Sequence, residues 1–200
     1  MQTFAGLYDD YSDARAAVTA LEDAGISSSD ITIVGRDSDG FDNESNAGEG
    51  AATGAGVGAV VGGTGGLLAG LGMLAIPGIG PVVAAGWLAA TAAGVAAGAV
   101  AGGAAGGLIG SLTSAGVHED EAHVYAEGVR RGSTLVSARV NDDKADVARS
   151  ILDDNRPVDI DARRAMYREE GWEQFNGDSP DLTDEELARE RERARTYRPL

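Results

Sequence analysis

Two hundred residues with a net charge of −16 and a sequence pI near 4.3 leave room for one ordinary domain, or a small domain with an appendage. That charge excludes a nucleic-acid binder, which needs a basic stripe to meet phosphates. The absence of cysteine excludes disulfides and thiol chemistry.

Met1 to Asp10 contains two aspartates and no basic stretch, so no cleaved signal peptide is expected and the chain is assigned to the cytoplasm. Thr3-Phe4-Ala5-Gly6-Leu7-Tyr8 reads as a short strand. Ala14, Ala17, Val18 and Leu21 then recur at the spacing of one helix face, with Asp10 or Ser12 able to cap the start and Gly25 at the C′ position. Ile31-Thr32-Ile33-Val34 is a β-branched strand. Residues 1–45 are thus a strand–helix–strand half-unit, running into an acidic linker from Asp37 to Glu49.

From Gly50 to Val117 no residue is charged, and glycine and alanine dominate. Gly54, Gly58, Gly62, Gly66 and Gly70 recur every four residues, as do Gly86, Gly94, Gly98, Gly102, Gly106 and Gly110, with Ala90 filling the gap. Such a small-xxx-small stripe lets two helix backbones approach closely. Glycine costs about 1 kcal/mol per residue in a water-exposed helix, so helices of this composition persist only where close packing or lipid makes backbone exposure worse. Pro77-Gly78-Ile79-Gly80-Pro81 breaks the run and predicts a turn between two helical arms, Ala52–Ile76 and Val82–Ser114. Residues 46–117 therefore read as a glycine-zipper hairpin whose tip is Ile76, Pro77, Gly78, Ile79, Gly80 and Pro81. The ladder glycines are its helix-packing interface.

Three surfaces are open to that hairpin: lipid, a second copy, or the sheet of its own chain. Arms of this length reach across a hydrocarbon core. Against two full spans stand acidic flanks (Asp42, Glu44, Glu49, then Glu119, Asp120, Glu121), where cytoplasmic flanks favour Lys and Arg. The tip is also apolar, which a spanning hairpin would put in water. A re-entrant insertion at the inner membrane face or self-assembly into a homo-oligomer suits it better.

Glu119, Asp120 and Glu121 suit a helix N-terminus, and Ala122, Tyr125 and Val129 share the face of that helix. Thr134–Val140 alternates as a half-buried strand. A helix over Asp142–Asn155 carries Ala145, Ala148, Ile151 and Leu152, and Val158-Asp159-Ile160-Asp161 reads as a last strand. Residues 1–45 and 118–165 together predict an α+β, ferredoxin-like sandwich, a four-stranded sheet with helices on one face, opened in its middle connection to admit the hairpin. Residues 166–200 form a charged appendage. Thr183-Asp184-Glu185-Glu186 is a capping box leading into a helix polar nearly all round, expected as a solvated tail or a bridge between copies.

No catalytic, cofactor-binding or metal site emerges from these residues. His118 and His123 stand five apart, which turns the second imidazole roughly 140° from the first, unlike the i, i+4 pair of a zinc helix. The glycine fragments complete no phosphate-binding fingerprint, and Asp37, Asp39, Asp42 and Glu44 lack the rest of a calcium loop.

Asp13-Ala14-Arg15-Ala16-Ala17-Val18 with Leu21, Gly25 and Asp30-Ile31 resembles the opening of the bacterial heat-induced general stress protein domain (YflT-like). The stretch Leu74 to Pro81 resembles the hairpin turn of such proteins, and Tyr125 to Gly132 and Val158 to Asp161 are similar to relatives with the hairpin inserted. The resemblance runs over residues 3–172. It implies a stress-associated role without an assigned molecular activity, and supplies no catalytic residues. The expectation is a non-catalytic stress protein that self-assembles or meets the membrane through its hairpin. The competing expectation is a ferredoxin-like small-molecule sensor, an analogy from fold.

Overall fold

The computed structural model describes residues 1–36, 72–76, 78–88 and 103–197. Its centre is one antiparallel sheet of β1 (Gln2–Tyr8), β2 (Ile31–Arg36), β3 (Gly72–Ile76), β4 (Gly80–Gly86) and β5 (Thr134–Val140), in the order β1-β5-β2-β4-β3. Around it stand α1 (Tyr11–Asp23), α2 (Gly103–Ser114), α3 (Glu119–Arg130), α4 (Ala145–Asp154), α5 (Ile160–Arg168) and α6 (Asp184–Thr196).

The first half-unit folds as its periodicity dictates. Ala14, Ala17, Val18 and Leu21 are all buried, and α1 closes when the Ile26 amide donates back to the Leu21 carbonyl at 3.1 Å. β5 then inserts between β1 and β2, antiparallel to both, with Leu7 facing Leu135 and Ile33 facing Val136. β1 and β2 are consequently parallel and separated by one strand, the geometry a helical crossover permits.

Both faces of this sheet are covered. On one side α1 and α4 pack with Tyr8, Ile31, Ile33, Val136 and Ala138. On the other, α2 and α3 supply Leu108, Leu112, Ala122, Tyr125 and Val129 against Leu7, Val34, Val82, Ala84 and Leu135. Burying a large apolar side chain stabilises by about 1.5–3 kcal/mol, so each face is a core in its own right. β5 is accordingly buried almost throughout, Thr134 and Ser137 included, and not half-exposed as its alternation suggests.

The fold is therefore mixed α/β around an antiparallel sheet, and it departs from the expected sandwich in three ways. Helices lie on two faces, because β2 and β5 are apolar enough on both sides to need them. Residues 158–161 form no strand. The Val158 amide donates to the Leu7 carbonyl at 2.7 Å, after which Asp159 accepts from the Asp161 and Ala162 amides, each at 3.0 Å, and caps α5. The sheet grows instead at the β2 edge, where the glycine-rich segment contributes β3 and β4.

That last point corrects the helical-hairpin expectation over the described residues. The turn stands where Pro-Gly predicts it: the Ile79 amide meets the Ile76 carbonyl at 3.0 Å, and Gly78 has φ +75°, as the third residue of a type II turn requires. The residues on either side of it are strands, not helices. Val82 and Val83 are β-branched and favour extended backbone, and pairing along β2 gives the β4 amides their partners. β3 and β4 thus belong to the same sheet that β1, β2 and β5 build.

Candidate functional site

The ladder glycines divide by position. Gly54, Gly58, Gly62, Gly66, Gly70, Gly94, Gly98 and Gly102 lie outside the described residues, as does Pro77 of the tip. Gly86 ends β4 at φ +93°, opposite Thr32. A Cβ there would run into the Ile31 carbonyl oxygen, so this glycine serves strand packing and not a helix–helix seam. Gly106 lies within α2. Gly110, one turn further along α2, has nothing among the described residues within 4 Å of where a Cβ would stand.

The tip is covered by its own chain. Ile76 and Ile79 are buried with Phe175 in one apolar cluster. A Cβ on Gly78 would lie 2.6 Å from the Gly177 Cα, and one on Gly80 would lie 3.1 Å from the Asp181 carboxyl carbon. Arg36, at the end of β2 and only 8% exposed, donates to the Leu182 carbonyl at 3.1 Å and to the Arg130 carbonyl at 3.4 Å. Burial pulls its guanidinium below the usual arginine range, Asp181 and Asp184 act against that, and Arg130 and Arg191 add to it. Arg130 in turn donates to the Pro180 carbonyl at 3.2 Å. Residues 175–182 therefore form a strap laid over the hairpin tip.

The strap continues into α6, which docks on α3 and α5. Thr183 and Glu186 close the predicted capping box. Leu187 is 2% exposed and lies beside Gly132. At the centre of the joint, Arg131 bonds Glu127 at 2.6 Å and Glu170 and Glu190 at 2.7 Å each, with its guanidinium 4.4 Å above the Tyr167 ring. Burial lowers the Arg131 pKa, and the bonds to Glu170, Glu127 and Glu190 more than offset it, so the group is held charged. Glu127 is 3% exposed and also takes Arg130 at 3.0 Å. Removing Glu127, the fully buried acid of this cluster, costs about 3–5 kcal/mol. Arg193 pairs with Glu170 and donates to the Met166 carbonyl at 3.0 Å, and Arg195 reaches Asp10 at 2.9 Å.

This joint was not expected from the sequence. Its signal was present: Glu127 interrupts an apolar helix face and is followed at i+3 and i+4 by Arg130 and Arg131, a spacing that lets one carboxylate serve both.

A concavity of about 120 Å³ lies between α3 and α5, bounded by Glu119, Asp120, His123, Arg164, Arg168, Trp172, Glu173 and Gln174. His123 is half-buried there, and Arg164 is engaged by Asp161 at 2.8 Å. Among the described residues no group of three His, Asp or Glu side chains is placed to hold a metal.

Chemically, the resolved shifts of the acids and tyrosines lead away from neutrality. Burial raises Tyr8 and Tyr125 and pushes Tyr167 up to about 12, while hydrogen bonds from Thr183 lower Glu186. What the arrangement does is hold a polar helix and a strap onto an apolar tip.

Residues 3–75 match the heat induced stress protein YflT domain. No curated protein and no solved structure matches the chain. The YflT match takes in β1, α1, β2 and nearly all of β3, together with the first glycine ladder. It ends at the turn, so the similarity read in Tyr125–Gly132 and Val158–Asp161 lies beyond it. The YflT region is also not a self-sufficient sheet. β1 and β2 are joined in the sheet only through β5, which lies outside the match.

Proposed function

We propose that this chain is a non-catalytic, stress-associated protein that self-assembles through the glycine-ladder stretches on either side of the β3–β4 hairpin. The YflT match over residues 3–75 supports the stress association. The observation that carries assembly is the root of the hairpin. Gly72 pairs with Ala84, so the stretch that ends at residue 71 and the one that begins at residue 89 attach at the same end of one two-stranded unit. Leu88 is pinned there by its amide, which donates to the Thr32 hydroxyl at 3.1 Å. This shared root supports the reading, since two small-residue segments that start from one place can pack on each other or on another copy by close backbone approach.

The test is the double substitution Gly62→Leu with Gly98→Leu. Loss of oligomer in sedimentation, with far-UV circular dichroism of the head retained, supports assembly; an unchanged oligomer size rejects it. Membrane contact is the second outcome of the same experiment, read by carbonate-washed fractionation. Among the described residues no helix is long and apolar enough to cross a membrane, and Ile76 and Ile79 of the tip are buried within the protein, so insertion of the tip is the weaker proposal.

The sensor reading draws on the concavity between α3 and α5, where Arg168, His123 and Trp172 meet Glu119 and Glu173. Its mark is ligand-induced thermal stabilisation of the full chain, lost in Arg168→Ala. The hairpin cannot be deleted for that experiment, because it is part of the sheet.

A further inference from the structure

Residues 175–197 are anchored mainly by polar contacts. Phe175 and Leu187 are the only apolar side chains of the segment that are buried. The other attachments include Arg36 to the Leu182 carbonyl, Arg130 to the Pro180 carbonyl, Arg131 to Glu190, Arg193 to Glu170 and the Met166 carbonyl, Arg195 to Asp10, and Tyr197, whose hydroxyl donates to Glu169 and whose ring packs half-buried against Met166 and Tyr167. Several of these pairs are partly exposed, and exposed pairs hold weakly and are screened by salt. The sheet beneath is covered on both faces. The pairs at its far end, Arg193–Glu170 and Arg195–Asp10, are the most exposed, and opening of the segment is expected to begin there.

The charges on the two sides of this contact are complementary. The strap and the first turn of α6 carry Asp178, Asp181, Asp184, Glu185 and Glu186 with no basic residue, whereas the rest of α6 alternates Glu190 and Glu192 with Arg189, Arg191, Arg193 and Arg195. The head presents Arg36 and Arg130 beside the apolar tip of Ile76 and Ile79, and Arg131 at the α6 joint, on a chain that is otherwise strongly acidic. Once the segment lifts, the exposed surface is an apolar patch rimmed by arginines, and the acidic surface that fits it best is the same segment of another copy. The connection from α5 suits such an exchange. Gly171 has φ +81° and open space around it, and Glu173 and Gln174 are exposed.

We infer that the strap and α6, residues 175–197, exchange between two copies of this chain, each copy's acidic strap seating on the other's Arg36–Arg130 surface and its mixed-charge α6 on the other's Arg131, Glu170 and Asp10. The exchange uses contacts already made within one chain and adds only the requirement that the segment open. It does not depend on the glycine ladders.

Two measurements test it. In the full chain, hydrogen exchange of amides in 184–196 is expected to be at least about tenfold faster than in β5, and to accelerate with added salt. Exchange of both regions at one common rate overturns the proposal. Asp10→Cys with Arg195→Cys, introduced into the Gly62→Leu, Gly98→Leu background, is then joined by a short bismaleimide. The chain has no cysteine of its own, so only these two sites react. Covalent dimers whose yield rises with protein concentration are expected. Intramolecular links at every concentration overturn the exchange. Dimers that form when the ladder glycines are native but vanish in the Gly62→Leu, Gly98→Leu background also overturn it, while leaving the ladder proposal standing.

Discussion

The main chain of Gly177 lies against Gly78 so closely that a methyl group on Gly78 would stand 2.6 Å from the Gly177 Cα. One is the turn residue of the β3–β4 hairpin and the other belongs to the strap. Gly78→Ala is therefore penalised twice, by its φ of +75° and by a backbone that cannot swing aside as a side chain could. The expected loss is about 2 kcal/mol or more, read as a lower urea midpoint. A neutral result would mean that neither the turn conformation at Gly78 nor the seat of the strap on the tip holds.

Two ladder glycines are expected to respond with opposite signs. Gly86→Ala forces a Cβ into the Ile31 carbonyl at φ +93° and should destabilise by about 3 kcal/mol, because the β2–β4 pairing must shift. Gly110→Ala meets nothing among the described residues within 4 Å in a helix and should stabilise by about 0.5–1 kcal/mol through a less flexible unfolded chain. Thermal melts of the two variants check both. A loss at Gly110 would show that α2 uses that face for close packing.

A fragment of residues 1–75, which contains the whole YflT match, is expected not to fold. β1 pairs with β5, β2 with β5 and β4, and β3 with β4. The fragment would hold β1, β2 and most of β3 with no two of them adjacent. Far-UV circular dichroism and amide dispersion in NMR decide it, and a cooperative thermal transition would contradict the prediction.

Acid should loosen the C-terminal joint. Burial acts to raise the Glu170 pKa, and hydrogen bonds from Arg193 and Arg131 outweigh it, so the folded value lies below the usual carboxylate range. A group depressed in this way contributes stability that is complete above its unfolded pKa of about 4.3 and disappears as pH falls through the folded value. Glu170→Gln should therefore lower the urea midpoint more at about pH 6 than at about pH 3. An equal effect at both values would exclude ionisation of Glu170 as the cause.

Much of the local structure was legible in the chain. The spacing of Ala14, Ala17, Val18 and Leu21 marks α1, the Ala145, Ala148 and Leu152 face marks α4, and Thr183 with Glu186 marks the start of α6, because caps and amphipathic faces are written within one or two turns of sequence. Pro-Gly placed the turn at residues 76–79 for the same reason. The strand expected at 158–161 failed at a point of close competition: Val158 does reach the β1 edge, but the Asp159 carboxylate captures two amides and starts a helix.

The glycine segment shows where local reading stops. Its period of four is a property of the sequence, and with the composition it determined that this chain would need close backbone packing somewhere. Whether Leu74 to Ala85 became helix or strand was decided by an open β2 edge distant along the chain, which offered hydrogen-bond partners no local propensity encodes. The same holds for the charged C-terminus. Alone it reads as a solvated tail. Only the fold, by bringing Arg131 to Glu190 and Gly177 to Gly78, turns it into a strap whose charges are matched and whose backbone closes over the hairpin tip.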